Sequence, residues 1–360
     1  MQKLIALIDL DYFYAQCELL RNPSLKNKPV VITMPTVRAN TGAVATSNYE
    51  ARKLKIRSGM SLSLAKKLSN EDTVFIKADK EYYQEISKKV FEVVDFFCEK
   101  VEQVSVDEAY LDLSNPNGFE DATEKCRKIK EKIRNEIGLT CSIGLSVNKL
   151  IAKMASEENK PDGLTIIKEN EINSFISKKK VSALHGLGPK SEKKLMEKGV
   201  ITISDLQKVS LQELIKLFGK AKGEMFYNFS RGIDNREINS NREKQQLSRM
   251  ITLKKDTNNF EEIKESVFLL SELVFKEAKK INKNFKTCSI IIITNKFETI
   301  TKSKTLDEPI LNVEELKNIE LELLQNYLNE SLSQIRRIGV RVSNFGGEFG
   351  FQKKLFDFGK

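Results

Sequence analysis

The chain has 360 residues, which favours two to four domains over a single core. Lysine and arginine outnumber aspartate and glutamate by 60 to 50, and the resulting net charge of +10 suits a polyanionic partner, either nucleic acid or a membrane surface. Every apolar run is far shorter than the roughly 20 residues of a membrane-spanning helix. We therefore expect a soluble intracellular protein with no membrane partner.

Cysteine and histidine offer little chemistry in this chain. The five cysteines are widely spaced and form no C-x-x-C pair, which argues against both a disulfide framework and a zinc site. His185 is the only histidine, so Ser-His-Asp and Cys-His catalysis would depend on this one imidazole. Any catalysis is expected to rest on carboxylates and metal ions.

The first 167 residues alternate short β-rich runs with helical patterns. The predicted elements are a strand over 3–9, a helix over 14–20, a strand over 29–33, a loop over 41–46, a helix over 47–54, a long amphipathic helix over 79–100, a strand hairpin over 101–113, a helix over 122–137, a strand over 140–146, a helix over 148–157 and a strand over 164–167.

The remaining residues divide into a helical part and a mixed part. Short lysine-rich helices with Gly-containing turns follow from residue 168, and the polar stretch 231–246 has the composition of an extended linker. Beyond it the pattern predicts a βαββαβ unit. Its elements are a strand over 247–253, a helix over 260–282, strands over 286–295 and 297–304, a helix over 313–329 and a strand over 334–342.

Three carboxylates lie at predicted strand ends. Asp9 ends the first strand, and Asp107 and Glu108 lie at the bend of the later hairpin. Carboxylate oxygens at strand ends are suitable ligands for Mg²⁺, which prefers hard oxygen donors. Asp is also an ordinary turn residue, so a solvated turn is the alternative.

Tyr49 and Arg52 are three residues apart on a predicted helix and therefore share a face. This pair suits a triphosphate, because Arg binds phosphate oxygens in a bidentate manner and the helix N-terminus adds backbone donors. Lys160, before a Pro-Asp-Gly turn, could also contact phosphate. Solvated surface side chains are the alternative for all three residues.

Two later segments suit a phosphate backbone. The turn Gly186-Leu-Gly188 precedes Lys190 and Lys193, lacks the spacing of a P-loop, and fits a helix-hairpin-helix turn whose amides bind DNA phosphate. On the last strand, Arg337 and Arg341 are four residues apart and share a face. A solvated charge run and a charged sheet edge are the respective alternatives.

Six segments, in order and over nearly the whole chain, closely resemble the Y-family DNA polymerases, especially the archaeal DNA polymerase IV group. They are Asp9-Leu-Asp-Tyr-Phe-Tyr-Ala-Gln16, Ala43-Val-Ala-Thr-Ser-Asn-Tyr-Glu-Ala-Arg52, Ser105-Val-Asp-Glu-Ala-Tyr-Leu-Asp112, Ser146-Val-Asn-Lys-Leu-Ile-Ala-Lys-Met-Ala-Ser156, Lys160-Pro-Asp-Gly163 and Ile335-Arg-Arg-Ile-Gly-Val-Arg341.

The resemblance implies a low-fidelity translesion polymerase that uses two Mg²⁺ ions, for which Mn²⁺ or Ca²⁺ could substitute in binding, and that does not proofread. Asp9, Asp107 and Glu108 would be the catalytic metal ligands, together with the backbone carbonyl of Leu10, where many relatives carry Phe. Tyr14 would be the steric gate that excludes ribonucleotides. Other implied nucleotide contacts are Phe13, Ala45, Thr46, Tyr49, Arg52 and Lys160, with Ala43 and Gly59 also in the roof over the nascent base pair.

The implied fold is a multidomain α+β right hand. Its parts are a palm (1–12 and 80–167), fingers (13–79), a helix-hairpin-helix thumb (168–232), a linker (233–244), a βαββαβ little finger (245–344) and a tail (345–360). The implied partners of this cytoplasmic, nucleoid-associated monomer are dNTP and primer-template DNA, the latter bound through Gly186, Gly188, Lys190, Lys193, Arg336, Arg337 and Arg341. Gln352, Leu355 and Phe358 resemble a sliding-clamp-binding peptide, although the usual second aromatic is absent.

Two other functions compete with this interpretation. A polymerase relative that serves only as a scaffold would not need the three carboxylates together with the nucleotide contacts. A nucleotide cyclase with a related palm would not need the lysine-rich hairpin, the linker or the arginine strand. Nucleotide incorporation that depends on DNA separates the three functions.

Overall fold

The computed structural model of the chain describes residues 3–38, 41–115, 117–240 and 243–346. These residues form two compact units. The first contains the described residues up to Thr33, Val44–Met60 and those from Ala65 to residue 240. The second contains the described parts of Met34–Ala43, Ser61–Leu64 and the residues from Glu243 onward.

The elements up to residue 166 alternate strands and helices. They are β1 (Ile5–Leu10), α1 (Phe13–Arg21), β2 (Val30–Pro35), β3 (Gly42–Ser47), α2 (Tyr49–Lys53), α3 (Leu62–Leu68), β4 (Val74–Lys77), α4 (Lys80–Phe97), β5 (Val101–Gln103), β6 (Glu108–Asp112), α5 (Phe119–Ile137), β7 (Cys141–Ser146), α6 (Lys149–Ser156) and β8 (Leu164–Ile166). Most of the predicted elements are confirmed within a few residues. The loop predicted over 41–46 is wrong, because residues 42–47 pair as β3, and α3 and β4 were not predicted.

A five-stranded sheet with the order β5-β6-β1-β7-β8 carries the first unit's main core. β1 lies at its centre, antiparallel to both β6 and β7. Every residue of β1 is buried, because α4 and α5 cover one face of the sheet and α6 packs on the other. A strand that is covered on both faces is expected to be apolar at successive positions, and residues 4–8 form such an apolar run before Asp9.

A second sheet, with the order β3-β2-β4, lies beside the first and packs its own small core around Val31, Val44 and Ile56. The hydroxyl of Ser47, the last residue of β3, donates to the carbonyl of Ile56 at 2.8 Å. This ends β3 directly before α2, whose N-cap Asn48 accepts from the Ala51 amide at 3.0 Å.

Short helices follow, as the lysine-rich pattern predicts. They are α7 (Ile172–Ser177), α8 (Pro189–Met196), α9 (Ile203–Gln207), α10 (Leu211–Phe218) and α11 (Lys220–Ser230). Their apolar faces share one core with Leu150, Ile151 and Met154 of α6.

Part of the segment predicted as a linker lies along the first unit. The carboxylate of Asp234 accepts from the Leu150 amide at 3.0 Å and so caps the first turn of α6. The amide of Asn239 donates to Glu102 at 2.7 Å, and Glu102 also forms a buried ion pair with Lys149. Residues 234–239 are therefore bound to α6 and β5 within the first unit.

The second unit is a four-stranded antiparallel sheet covered on one face by two helices, which confirms the predicted βαββαβ order. Its elements are β9 (Gln246–Thr257), α12 (Phe260–Lys280), β10 (Asn284–Thr294), β11 (Thr299–Thr305), α13 (Val313–Glu330) and β12 (Ile335–Gly346). The strands are arranged β11-β10-β12-β9. Alternate residues of β10 and β12, such as Ile290 and Val340, pack against the helices.

Among the described residues, no helix is both long and apolar enough to cross a membrane.

Candidate active site

The three predicted metal-binding carboxylates lie at one end of the central sheet. In the register of β1 and β6, Asp9 is directly opposite Glu108. The amide of Leu10 donates to the carbonyl of Asp107 at 2.8 Å, which brings the β5–β6 turn against the end of β1. Two residues about a hundred positions away along the chain thus become neighbours of Asp9, and the sheet brings together the predicted carboxylates.

Two lysines bind these carboxylates. The Nζ of Lys153, on α6, lies 3.0 Å from Asp9 Oδ2, 3.0 Å from Glu108 Oε1 and 3.2 Å from Glu157 Oε1. The Nζ of Lys160 lies 2.6 Å from Asp9 Oδ1 and 2.9 Å from the same Glu157 oxygen. Both oxygens of Asp9 are therefore engaged by ammonium groups.

The surroundings shift the pKa values of this cluster. Burial alone would lower the pKa of Lys153, but Asp9, Glu108 and Glu157 outweigh burial and raise this pKa above its usual range. Burial raises the pKa of Glu108 despite the opposing effect of Lys153. Burial would also raise the pKa of Glu157, yet its hydrogen bonds to Lys160 and Lys153 lower it overall. Lys153 thus stays charged.

The donor chemistry of the cluster fits a divalent cation. Carboxylate oxygens of Asp9, Asp107 and Glu108 are the hard ligands that Mg²⁺ prefers. Within the described ranges, no group of three or more His, Cys, Asp or Glu side chains is arranged as a ready metal site. Instead, Lys153 and Lys160 contact the two carboxylate oxygens of Asp9.

A cavity of about 490 Å³ opens in front of Asp9. Its lining joins the ends of β1 and β3 to the first turns of α1 and α2. The lining residues are Asp9, Leu10, Tyr12, Phe13, Tyr14, Ala45, Thr46, Tyr49, Arg52, Ser58, Ser105, Val106, Asp107, Glu157 and Lys160. All the nucleotide contacts that the resemblance implied, apart from the roof residues Ala43 and Gly59, lie in this lining.

Tyr49 and Arg52 form a pair on one face of α2, as their spacing predicts. The guanidinium carbon of Arg52 lies 4.8 Å from the Tyr49 ring centroid, and its Nε donates to the Ser47 carbonyl at 3.0 Å. The Tyr49 hydroxyl is buried without a hydrogen-bond partner, and burial raises its pKa to about 12. Such an unsatisfied neutral donor in a cavity wall is suited to a ligand acceptor.

Tyr14 is held by ring stacking. Its ring lies 4.4 Å from that of Tyr83, with an interplanar angle of 21°, and Tyr83 donates to Glu18 at 2.7 Å. Tyr12, in the left-handed region with φ of 36°, is the N-cap of α1, and its ring packs edge-on against that of Tyr49 with 5.2 Å between centroids. The sharp turn at Tyr12 directs Tyr14 toward the cavity while Phe13 is buried.

Asp11, the residue before Tyr12, does not line the cavity and is 1% exposed. It accepts hydrogen bonds from Ser142, Thr140 and the backbone of Asp162. Burial raises its pKa, while the hydroxyl donors oppose this effect.

The Gly186–Gly188 turn lies between two short helices of the first unit, as predicted. Gly186 takes a φ of +85°, and Gly188 is the N-cap of α8, which begins at Pro189. Lys190 and Lys193 are exposed on α8. A second cavity, of about 610 Å³, lies between this turn and α6, and Glu157 lines both cavities.

In the second unit, Arg337 and Arg341 lie on the sheet face that carries no helix. They flank Gly339, and both have a buried Nε without a hydrogen-bond partner. Arg336 is placed differently, because a register shift precedes Arg337; its Nη1 lies 3.7 Å from Asp256. This helix-free face therefore carries two of the three predicted arginines together.

Sequence reasoning assigned no role to Lys153, Glu157 or Asp11. The first two belong to the motif around α6 and the turn after it, and their spacing of four residues was the available signal. Asp11 gave no such signal, because its partners are 129 to 151 positions away. The proposed clamp-binding residues Gln352, Leu355 and Phe358 lie outside the described residues.

Family models match most of the chain. The model described as impB/mucB/samB family matches residues 8–157, and that of its C-terminal domain matches 244–355. Between them, a model described as the thumb domain of DNA polymerase-iota matches 182–234.

Named relatives agree with these models. DNA polymerase IV of Nitrosopumilus maritimus is 38% identical over 348 residues, covering 95% of this chain and 96% of that protein. A solved Y-family DNA polymerase chimera, Dbh-Dpo4(243-245)-Dbh, superposes with a TM-score of 0.90 at 28% identity, covering 96% of this chain and all of that one. An insertion ternary complex of Dbh DNA polymerase matches with a TM-score of 0.70 at 28% identity and the same coverage.

The fold, the carboxylate cluster and these likenesses define a DNA-directed DNA polymerase. The chain belongs to the impB/mucB/samB family, which is the Y family of DNA polymerases, within its DNA polymerase IV-like branch.

Proposed function

We propose that this polymerase extends primers across damaged template by two-metal-ion nucleotidyl transfer from dNTP to a primer 3′-hydroxyl, at low fidelity and without proofreading. The observation that carries the proposal is the placement of Asp9 opposite Glu108, beside Asp107, at the mouth of the 490 Å³ cavity. Asp9, Asp107, Glu108 and the Leu10 carbonyl would hold the ions. When bound, Mg²⁺ would activate the primer 3′-hydroxyl and stabilise the leaving pyrophosphate.

The cavity residues would bind and orient the nucleotide. Arg52 and Lys160 would contact phosphate oxygens by charge-assisted hydrogen bonds, and the unpartnered hydroxyl of Tyr49 would add a neutral one. Thr46 would contribute a further hydroxyl at the end of β3. Lys160 would exchange Asp9 and Glu157 for the triphosphate.

Tyr14 and the small side chains would shape selectivity. The ring of Tyr14, stacked on Tyr83, would lie beneath the sugar and exclude a 2′-hydroxyl, with Phe13 packed behind it. Ala45 in the lining, with Ala43 and Gly59, would leave a loose roof over the nascent pair. A loose pocket discriminates poorly between bases and admits distorted templates.

DNA would be held by its phosphates. The related Dbh DNA polymerase has been solved as an insertion ternary complex, and we extend primer-template binding to this chain. Gly186, Gly188, Lys190 and Lys193 on one unit, and Arg336, Arg337 and Arg341 on the other, would make contacts that are independent of base sequence.

The proposed domains follow the family pattern. We assign the palm to residues 1–12 and 80–167, the fingers to 13–79, the thumb to 168–232, the linker to 233–244 and the little finger to 245–344. The chain would act as a cytoplasmic, nucleoid-associated monomer that reaches a sliding clamp through Gln352, Leu355 and Phe358.

Primer extension on undamaged DNA with Mg²⁺ tests the catalytic part of the proposal. Native protein is compared with Asp107→Asn and with Asp112→Asn, a control at the far end of β6. Incorporation by the native protein and the control, but not by Asp107→Asn, supports the proposed site. No incorporation by native protein would favour a scaffold, and nucleotide turnover without DNA would favour a cyclase.

A further inference from the structure

Asp11 is a buried carboxylate that takes no part in the proposed chemistry. It lies two residues after Asp9, on the segment that joins β1 to α1. Its Oδ1 accepts from the Ser142 hydroxyl at 2.8 Å, and its Oδ2 accepts from Thr140 Oγ1 at 3.0 Å and from the Asp162 amide at 2.8 Å. The carboxylate thus joins three chain segments behind the site.

The bond to Asp162 fixes the turn that carries Lys160. Asp162 has a φ of 57°, an uncommon conformation for a residue other than glycine, so the turn requires outside support. Its side chain is held from the other side by Lys130, with Nζ at 2.8 Å from Oδ1, and by an ion pair with Arg134. Backbone and side chain of Asp162 are therefore both anchored.

This anchoring reaches the cavity through Lys160. Lys160 is two residues before Asp162, and its Nζ lies 2.6 Å from Asp9 Oδ1. Asp9 and Asp11 belong to the same short segment. The hydrogen bond from the Asp162 amide to Asp11 therefore fixes the position of the Lys160 ammonium group relative to the Asp9 carboxylate.

We infer that Asp11 is a positioning residue for Lys160 and, through Lys160, for the dNTP triphosphate. The inference rests on the proposed function, in which Lys160 contacts the triphosphate. Asp11 acts through a hydrogen bond to the Asp162 amide, so an acceptor at this position is what the turn requires. An amide oxygen in the same place can accept that bond, whereas a methyl group cannot.

The test is a double-mutant cycle measured as the KM for dNTP in primer extension. The variants are Asp11→Ala, Lys160→Ala and the double variant, with Asp11→Asn as the conservative replacement. Asp112→Ala is the matched control, because it removes a carboxylate at the far end of β6 that does not line the cavity and instead accepts from the Ser114 amide at 3.1 Å and pairs with Lys100 at 3.9 Å.

We expect Asp11→Ala to raise the KM for dNTP about tenfold, the lower end of the loss seen when supporting hydrogen bonds are removed at metal sites. The same change in the Lys160→Ala background is expected to leave the KM within about twofold, because the group it positions is gone. Asp11→Asn restores most of the native KM, and Asp112→Ala retains it.

Equal effects of Asp11→Ala in both backgrounds would overturn the positioning role, since a general loss of structure does not depend on Lys160. Should Asp11→Ala fail to fold, Arg134→Ala loosens the same turn from its exposed side, and the same dependence on Lys160 is expected; its absence would also overturn the role. Failure of native protein to incorporate any nucleotide would instead overturn the proposed function, together with this inference.

Discussion

The Nζ of Lys153 lies 3.0 Å from Oδ2 of Asp9, inside the cluster that is proposed to hold two metal ions. A second contact of 3.0 Å reaches Glu108, so one ammonium group holds two carboxylates together across adjacent strands. Without a cation between them, these carboxylates would repel each other. Lys153 is therefore a built-in counter-ion with which divalent ions must compete.

Replacement of Lys153 by Met is expected to lower the free energy of unfolding in the absence of metal by about 1–3 kcal/mol. This loss is smaller than that expected on breaking a fully buried ion pair, because Lys153 is partly exposed. Added Mn²⁺ should then raise the melting temperature of the variant more than that of native protein, because a competing cation has gone. Differential scanning fluorimetry with and without Mn²⁺ measures both effects. Lys88→Met, at an exposed pair on α4, is the control; equal Mn²⁺ shifts in native and Lys153→Met proteins would contradict the counter-ion role.

Stability should depend on pH through Glu320, which is buried in the second unit. The Ser271 hydroxyl donates to the Glu320 carboxylate, and the same hydroxyl oxygen lies 2.7 Å from the Val267 carbonyl. Burial raises the pKa of Glu320 from 4.5 to about 8, although the Ser271 hydrogen bond lowers it.

The direction of the pH dependence follows from how many protons the folded and unfolded states bind. Between pH 4.5 and about 8 the folded protein retains a proton on Glu320 that the unfolded chain has lost, so the contribution of Glu320 to stability is greatest below pH 4.5 and falls as pH rises toward 8. For this one group, the free energy of unfolding falls by at most about 1.4 kcal/mol per pH unit. Urea unfolding followed by circular dichroism at several pH values measures the slope, and Glu320→Gln should flatten it. An unchanged slope in Glu320→Gln would assign the dependence to other groups.

The stacking of Tyr14 on Tyr83 leads to a prediction about sugar selection. Tyr14→Ala should admit ribonucleotides, raising the ratio of their kcat/KM to that of deoxynucleotides by about 100-fold, because a steric barrier of a few kcal/mol is removed. Tyr83→Ala should have a smaller effect in the same direction, since the gate ring loses its support at 4.4 Å. Tyr82→Ala, which removes the neighbouring ring on α4, is the control and should leave the ratio unchanged.

The helix-free face of the second unit's sheet leads to a prediction about how DNA binding depends on salt. If Arg337 and Arg341 each contact a phosphate, replacing either by Ala should reduce the slope of log affinity for duplex DNA against log salt by about one. Fluorescence anisotropy at several salt concentrations gives the slope. Arg249→Ala is the control, because Arg249 pairs with Glu277 on the helix-covered side. Equal slopes for native, Arg337→Ala and Arg341→Ala proteins would place the DNA elsewhere.

Local patterns were sufficient for much of the fold. The βαββαβ unit and the strand ending at Asp9 follow from apolar periodicity, and the Tyr49–Arg52 pair follows from helical spacing alone. β3 was missed because Gly42 and the preceding Thr41 resemble a loop, and its strand character comes from pairing within the sheet.

The contacts that hold the site residues in position could not be predicted from local sequence patterns. Asp11 meets Ser142 and Asp162 only after the sheet has formed, and Lys153 reaches Asp9 from a helix 144 positions away. Such contacts depend on tertiary packing, which no local pattern encodes. The motifs identified the proposed metal ligands, but only the fold shows which side chains hold them in position.

Primer extension opposite a single abasic site, with Mg²⁺ and the four dNTPs, tests the central claim most directly. We predict that native protein extends the primer past the site and that Asp107→Ala, which removes one proposed metal ligand, does not. Bypass by Asp107→Ala at the native rate, or a native protein that extends undamaged template and stops at the abasic site, would contradict the account.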